Sequence, residues 1–182
     1  MSKTWFTSDL HFNHARIIEM CSRPYTDASH MEEAFVANWN DRVADGDTVY
    51  VLGDFAMHPR DEIPRILGRL KGQIVLIAGN HDHRKTLGHF PVVHTKLDVD
   101  IDGHRVQLVH NPADATPAED QIVLCGHVHS RWAKVRRGGV VAADDTQDHA
   151  YKAAAFTTTT DYYNVGVDVR GYRPVTLAEI LR

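Results

Sequence analysis

Three short apolar runs in this chain end in the same way. Val49-Tyr50-Val51-Leu52 leads into Gly53-Asp54 and Ile74-Val75-Leu76-Ile77-Ala78 into Gly79-Asn80-His81-Asp82, while Ile122-Val123-Leu124-Cys125 leads into Gly126-His127-Val128-His129. Such runs, rich in β-branched and aliphatic residues and closed by glycine, read as strands buried on both faces. Segments of helical period separate them, so the pattern predicts an α/β sheet with crossover helices. Glycine at the end of each run lets the backbone turn sharply or approach another group closely. In open α/β sheets, ligands collect beyond the carboxyl ends of the strands. Taken alone, each run is an ordinary strand-to-loop turn. Together they aim polar residues at one edge, and that favours a shared site.

The chain has 182 residues and is 43% hydrophobic, which suits a single domain spanning 1–182 with a sizeable core. A formal net charge of -4 gives no support to nonspecific binding of nucleic acid or anionic membranes. No run approaches the roughly 20 apolar residues needed to cross a bilayer. The segment Met1 to Asp9 has no apolar leader core. Cys21 and Cys125 form neither a disulfide framework nor a zinc-spaced pair, and Cys125 reads as packing. The expectation is a cytoplasmic protein in a reducing setting, with no membrane partner. The oligomeric state leaves no signal in the sequence.

Lys3 to Ser8 reads as a first strand that delivers Asp9-Leu10-His11. Residues two apart on an extended segment point the same way, so Asp9 and His11 can reach one cation; the competing explanation for Asp9 is a helix cap. Phe12 to Met20 suits a short helix, with Asn13, His14 and Arg16 solvated beside the loop. Ser29-His30-Met31-Glu32 matches a capping box and opens a helix whose apolar face is Met31, Ala34, Phe35, Trp39 and Val43. Pro59 to Leu70 reads as helix, with Pro64 in the first turn. Val92 to Val99 and His104 to Val109 read as a strand pair around Asp100-Ile101-Asp102-Gly103, and the second ends in His110-Asn111-Pro112. The basic run Arg131, Lys134, Arg136 and Arg137 reads as a solvated strand face, or else as a phosphate contact. Residues 138–160 suggest a hairpin tip or a mobile insertion. Asn164 to Val169 reads as a late strand, and Thr176 to Leu181 as a final helix capped by Thr176.

The candidate donors are Asp9, His11, Asp54, Asn80, His110, His127 and His129. Carboxylate, amide and imidazole without thiolate suit manganese, iron, cobalt, nickel or zinc. The set is too rich in histidine for calcium. It exceeds what one such cation takes from protein, whereas two cations sharing a carboxylate would use it all. Two-metal sites hold their ions roughly 3.5–4 Å apart, acidify a bound water and stabilise both oxygens of a displacement at phosphorus. His81 is left over, and a positioned imidazole there can protonate a leaving oxygen. Asp82 is a candidate to orient it.

Asp9-x-His11, Gly53-Asp54, Gly79-Asn80-His81-Asp82, His110 and Gly126-His127-x-His129 together resemble the motif set of the calcineurin-like metallophosphoesterases. The resemblance runs from residue 4 to residue 129 and is closest to small bacterial and phage-type members without a cap domain. It implies a four-layer αββα sandwich. It implies that Asp9, His11, Asp54 and His129 hold one metal, that Asp54 bridges, and that Asn80, His110 and His127 complete a second site. His81 matches the catalytic histidine. The implied activity is phosphoester hydrolysis by metal-bound hydroxide; diesters are read as favoured over monoesters, because an acidic, capless chain leaves the centre open and the basic run can hold a second phosphate substituent. The implied cofactors are two divalent ions, with manganese preferred and iron, nickel, cobalt, zinc or magnesium as the others. The partner is then a phosphate-ester substrate, and no substrate-binding residue is identified. Two alternatives stand beside it. One is a metal-stabilised protein-binding scaffold, as in relatives such as the retromer subunit that lost the catalytic histidine; here every core motif position is filled. The other is a nuclease acting on DNA or RNA.

Overall fold

The computed structural model describes residues 2–57, 62–142 and 155–182. In chain order the elements are β1 (Thr4–Thr7), α1 (Ala15–Met20), α2 (Ala28–Asn40), β2 (Thr48–Val51), α3 (Glu62–Leu67), β3 (Gln73–Ile77), α4 (Arg84–Leu87) and β4 (Val93–His94). The second half supplies β5 (Lys96–Ile101), β6 (His104–Val109), β7 (Ile122–Cys125), β8 (Lys134–Val135), β9 (Val140–Ala142), β10 (Ala155–Thr157), β11 (Tyr162–Asn164) and α5 (Leu177–Ile180). Short 3-10 turns at Pro112–Asp114 and Val167–Val169 follow β6 and β11.

Two sheets result. The first has strand order β1-β2-β3-β4, every pair parallel. The second has order β5-β6-β7-β11-β8: β6, β7 and β11 run parallel, while β5 and β8 lie antiparallel at its edges. The side-chain period of two assigns each strand's residues to a layer. Trp5, Val49, Val51 and Leu76 face the helices and pack on Met31, Phe35 and Trp39 of α2 and on Ile63 and Ile66 of α3. Phe6, Leu52 and Ile77 face the other way, against Val106, Leu108, Leu124 and Tyr163 of the second sheet. Truncating Phe6, which is fully buried in this inter-sheet core, would cost about 3–5 kcal/mol. The outer face of the second sheet, with Val109, Val123, Cys125 and Tyr162, is covered among the described residues by Val141 and Phe156 of the β9–β10 ribbon. The expected α/β sandwich is what the chain forms, with that ribbon as its thin fourth layer.

Several element boundaries differ from those read from the sequence. Helix α2 is capped by Asp27, whose side chain accepts from His30 N at 2.8 Å, and not by Ser29. The run Val92 to Val99 divides between the sheets: β4 pairs with β3 and β5 with β6. The late strand stops at Asn164, because the Asn164 side chain accepts from Gly166 N and turns the chain. Thr176 caps α5 as expected, in a reciprocal capping box with Glu179. The N-terminal part of the helix expected from Pro59 and the central part of the stretch 138–160 lie outside the described residues.

Candidate metal centre

The sheets come together where β1 ends. Ser8 bridges to Gly166 beyond β11, and Val167 N donates to Ser8 O at 3.1 Å. Asp9 is thereby set between the sheets, and its carboxylate accepts from His127 N at 3.0 and 3.1 Å. On the other side Asp9 N and His11 N donate to the carbonyls of Gly53 and Asp54, tying the loop after β1 to the loop after β2. The glycines exist to allow this approach. A Cβ on Gly126 would meet Ser8 Oγ and stand 2.6 Å from Asp9 Oδ2. One on Gly79 would stand 2.6 Å from Asp54 N, and one on Gly53 would run into the His110 ring.

The imidazoles of His110, His11 and His129 are each held through Nδ1 from outside the cluster, whereas His127 turns its Nδ1 inward to Asn80. His110 Nδ1 lies 2.7 Å from Leu52 O, so it carries the proton and donates; Nε2 then points inward, 2.9 Å from Asn80 Oδ1 and 3.4 Å from Asp54 Oδ2. His11 Nδ1 lies 3.2 Å from His14 Nδ1, and its Nε2 lies 3.5 Å from Asp54 Oδ2. His129 Nδ1 lies 3.0 Å from Asp168 Oδ2. His127 Nδ1 lies 3.0 Å from Asn80 Oδ1. Donor atoms of Asp9, His11 and His129 fall within 4.8 Å of one another, as do those of Asp9, Asp54 and His110. His81 adjoins the cluster: its backbone N donates to Asp54 Oδ1 at 2.9 Å, and its ring centroid is 5.3 Å from that of His11.

His11 Nε2, Asp54 Oδ2 and Asn80 Nδ2 are buried and make no hydrogen bond to any described residue. Buried polar atoms without a partner are costly, and two of these, His11 Nε2 and Asp54 Oδ2, face each other at 3.5 Å. The backbone is strained at the same places. Asp9, His11, Asp54, His127 and His129 have φ of 57°, 50°, 55°, 72° and 46°. Left-handed backbone outside glycine costs on the order of 1–3 kcal/mol per residue and gathers at functional sites. This donor set, with its unmet atoms, fits divalent cations.

The electrostatics are those of a buried, mixed-charge cluster. Burial opposes ionisation of Asp54, but the imidazoles of His110 and His11 outweigh it and hold its carboxyl below the usual range. Burial likewise opposes charge on His110, yet the Asp54 carboxylate brings it up to about 10. Against the same burial, the hydrogen bond to Asp168 raises His129 to about 11. Burial lowers His11 well below its ordinary value and brings His14 down to about 4. Burial, with the Asp54 charge, pushes Asp82 up to about 6.

Asp82 has a different task from orienting His81. Its carboxylate accepts from Asp54 N, Phe55 N and Gly79 N at 2.8, 3.0 and 2.9 Å, stapling the loop after β3 to the loop after β2. The basic run is largely occupied as well. Lys134 and Arg136 pair with Asp161, and Arg137 pairs with Glu119, which favours a solvated edge over a phosphate contact. Three residues at the centre were not picked out from the sequence: Arg23, Asp168 and Cys21. The last lies with His129 and Asp168 in a further group whose donor atoms fall within 4.8 Å. A cavity lined by Ala78, Gly79, Asn80, Thr95, His110, Asn111 and Asp114 opens beside the cluster.

A family model for the calcineurin-like phosphoesterase superfamily domain matches residues 3–144. An uncharacterised protein of Methanocaldococcus jannaschii is 32% identical over 185 residues, a match covering 100% of this chain and 91% of its own. The gene 66 protein of Mycobacterium phage L5 is 40% identical over 86 residues, 45% of this chain and 41% of the phage protein. Among solved structures, a protein of unknown function from Aquifex aeolicus aligns with a TM-score of 0.70 at 27% identity, covering 99% of this chain and 98% of that one. The family match takes in every candidate donor from Asp9 to His129, and the chain belongs to the calcineurin-like phosphoesterase superfamily.

Proposed function

We propose that the protein is a metal-dependent phosphodiesterase with a dinuclear centre and a preference for manganese. The observation that carries this is Asp54 Oδ2. It is buried, makes no hydrogen bond to a described residue, and stands 3.5 Å from His11 Nε2 and 3.4 Å from His110 Nε2. Asp9, His11, Asp54 and His129 would hold one ion, and Asn80, His110 and His127, with Asp54 shared, the other. When bound, the ions acidify a water and neutralise charge on the phosphoryl oxygens. The chain's own groups do the rest. His81 holds a proton for the leaving oxygen. Asp54 Oδ1, by accepting from His81 N, sets where that imidazole stands. Asp82 keeps the two loops that carry Asp54 and His81 in register. The cavity beside Asn80 and His110 offers room for a second substituent on phosphorus, which supports a diester over a monoester.

The test is hydrolysis of bis(p-nitrophenyl) phosphate and of p-nitrophenyl phosphate by manganese-loaded protein, with a chelated control. Chelator-sensitive turnover with the higher kcat/KM on the diester is the expected result. A higher kcat/KM on the monoester rejects the diester assignment. Turnover that survives complete chelation rejects the metal centre.

A further inference from the structure

Arg23 and Asp168 form a buried pair behind the centre, with side chains 0% and 1% exposed. The guanidinium grips Asp168 at both oxygens, Nε to Oδ1 at 2.8 Å and one terminal nitrogen to Oδ2 at 2.9 Å. It also donates to the carbonyls of Asp9 at 2.7 Å and Leu10 at 3.1 Å. Asp168 Oδ2 in turn faces His129 Nδ1 at 3.0 Å. One ion pair therefore reaches two candidate donors on different sheets, Asp9 after β1 and His129 after β7. Both are residues whose backbone is left-handed. Neither member of the pair is among the seven donors, although Asp168 lies with His129 and Cys21 in the further group of donor atoms.

We propose that Arg23 and Asp168 are positioning residues for the half of the metal centre that contains Asp9, His11 and His129, an inference that rests on the two-metal reading above. Buried ion pairs are poor stabilisers compared with well-packed apolar residues of the same volume. What this pair supplies is geometry. A carboxylate that accepts from the outer nitrogen of a ligand histidine fixes the ring and raises its basicity. A planar guanidinium can hold that carboxylate bidentately and still reach two carbonyls; an ammonium lacks the fork. The two roles are linked, because the group that aligns His129 is itself aligned by the group that pins Asp9.

The experiment is calorimetric titration of the metal-free full chain with manganese chloride, alongside the absorption spectrum of the cobalt-substituted protein. Wild type is expected to bind two equivalents. In Asp168→Asn one of the two should weaken by roughly 10–100-fold, with an altered cobalt spectrum, while the other keeps its affinity. Arg23→Lys should weaken the same equivalent, and it carries the test if Asp168→Asn does not fold. Asp47→Asn, a substitution at the opposite end of β1 and β2, should lower the melting temperature and leave both affinities intact. A folded Asp168→Asn with both affinities and the cobalt spectrum of wild type overturns the inference and leaves the two-metal reading standing. Fewer than two equivalents in wild type overturns both.

Discussion

Strand β2 has a buried aspartate just before it and another just after it, and their surroundings differ. Asp47, 5% exposed, accepts from Lys3 N at 2.7 Å, Trp5 Nε1 at 2.8 Å and Ala44 N at 3.0 Å. Asp54, 1% exposed, gives Oδ1 to His81 N and leaves Oδ2 without a hydrogen bond to any described residue, among imidazoles. At one end of the sheet a carboxylate is fully answered by the chain and staples β1 to the turn before β2. At the other end the chain brings charge together and leaves part of it unmet. On the proposed reading the contrast separates burial that serves stability from burial that serves a ligand, and substitutions at the two ends should have opposite signatures.

The largest effect is expected for Asp54→Asn. Manganese binding and chelator-sensitive turnover should be abolished, while the melting temperature in chelator stays near that of wild type. Asparagine keeps the Oδ1 acceptor, tolerates the left-handed backbone and removes a charge that crowds Asp9 and Asp82. A collapse of the metal-free fold in calorimetry would mean that Asp54 is structural after all. His81→Ala comes next, with kcat expected to drop on the order of 10²–10⁴-fold while both manganese affinities persist. Unchanged kcat would remove His81 from the chemistry.

Gly126→Ala should damage both properties, because its Cβ is driven toward Asp9 Oδ2. A loss of about 1–3 kcal/mol in urea unfolding, accompanied by weaker manganese binding, is the expected pair of readings. Asp47→Asn should lower the melting temperature and leave turnover alone. Its pH signature follows from the three donors, which hold the folded-state carboxyl at about 2, below its ordinary 3.8. A depressed folded value means the contribution is complete above the unfolded value and is lost as pH falls through about 2. Melts from pH 5 down to pH 2 should therefore converge for wild type and variant at the acid end. The smallest effect is expected at Arg105–Asp120, an exposed pair with side chains 53% and 63% accessible. Arg105→Ala should change neither the melting temperature nor turnover by a measurable amount.

What could be read from the sequence was the part of the fold that repeats. Each apolar run ending in glycine announced a strand and a close approach at once, so β2, β3 and β7 came with their loops and with the polar residues that the loops bring together. Thr176 was readable because its capping glutamate lies three residues on. Asp27 was missed in favour of Ser29 because Ser29 with Glu32 matches the same local pattern, and only the backbone chooses between them. The division of Val92 to Val99 between two sheets was out of reach, since a kink of one or two residues leaves the hydrophobic pattern unchanged. Arg23 and Asp168 were invisible for a different reason. Their meeting bridges 145 positions of sequence and has no local spacing to betray it.

The left-handed backbone at Asp9, His11, Asp54, His127 and His129 also limits how this centre can change. Asparagine, aspartate, histidine and glycine enter that conformation at modest cost; β-branched and bulky residues do not. At those five positions the accessible alphabet is therefore short, and apart from glycine it is an alphabet of oxygen and nitrogen donors. Of the seven donors, only Asn80 and His110, whose φ is not positive, would take a cysteine without left-handed strain, so a softer-metal site would draw its thiolate from there or from Cys21, already within 4.8 Å of the His129 and Asp168 donor atoms.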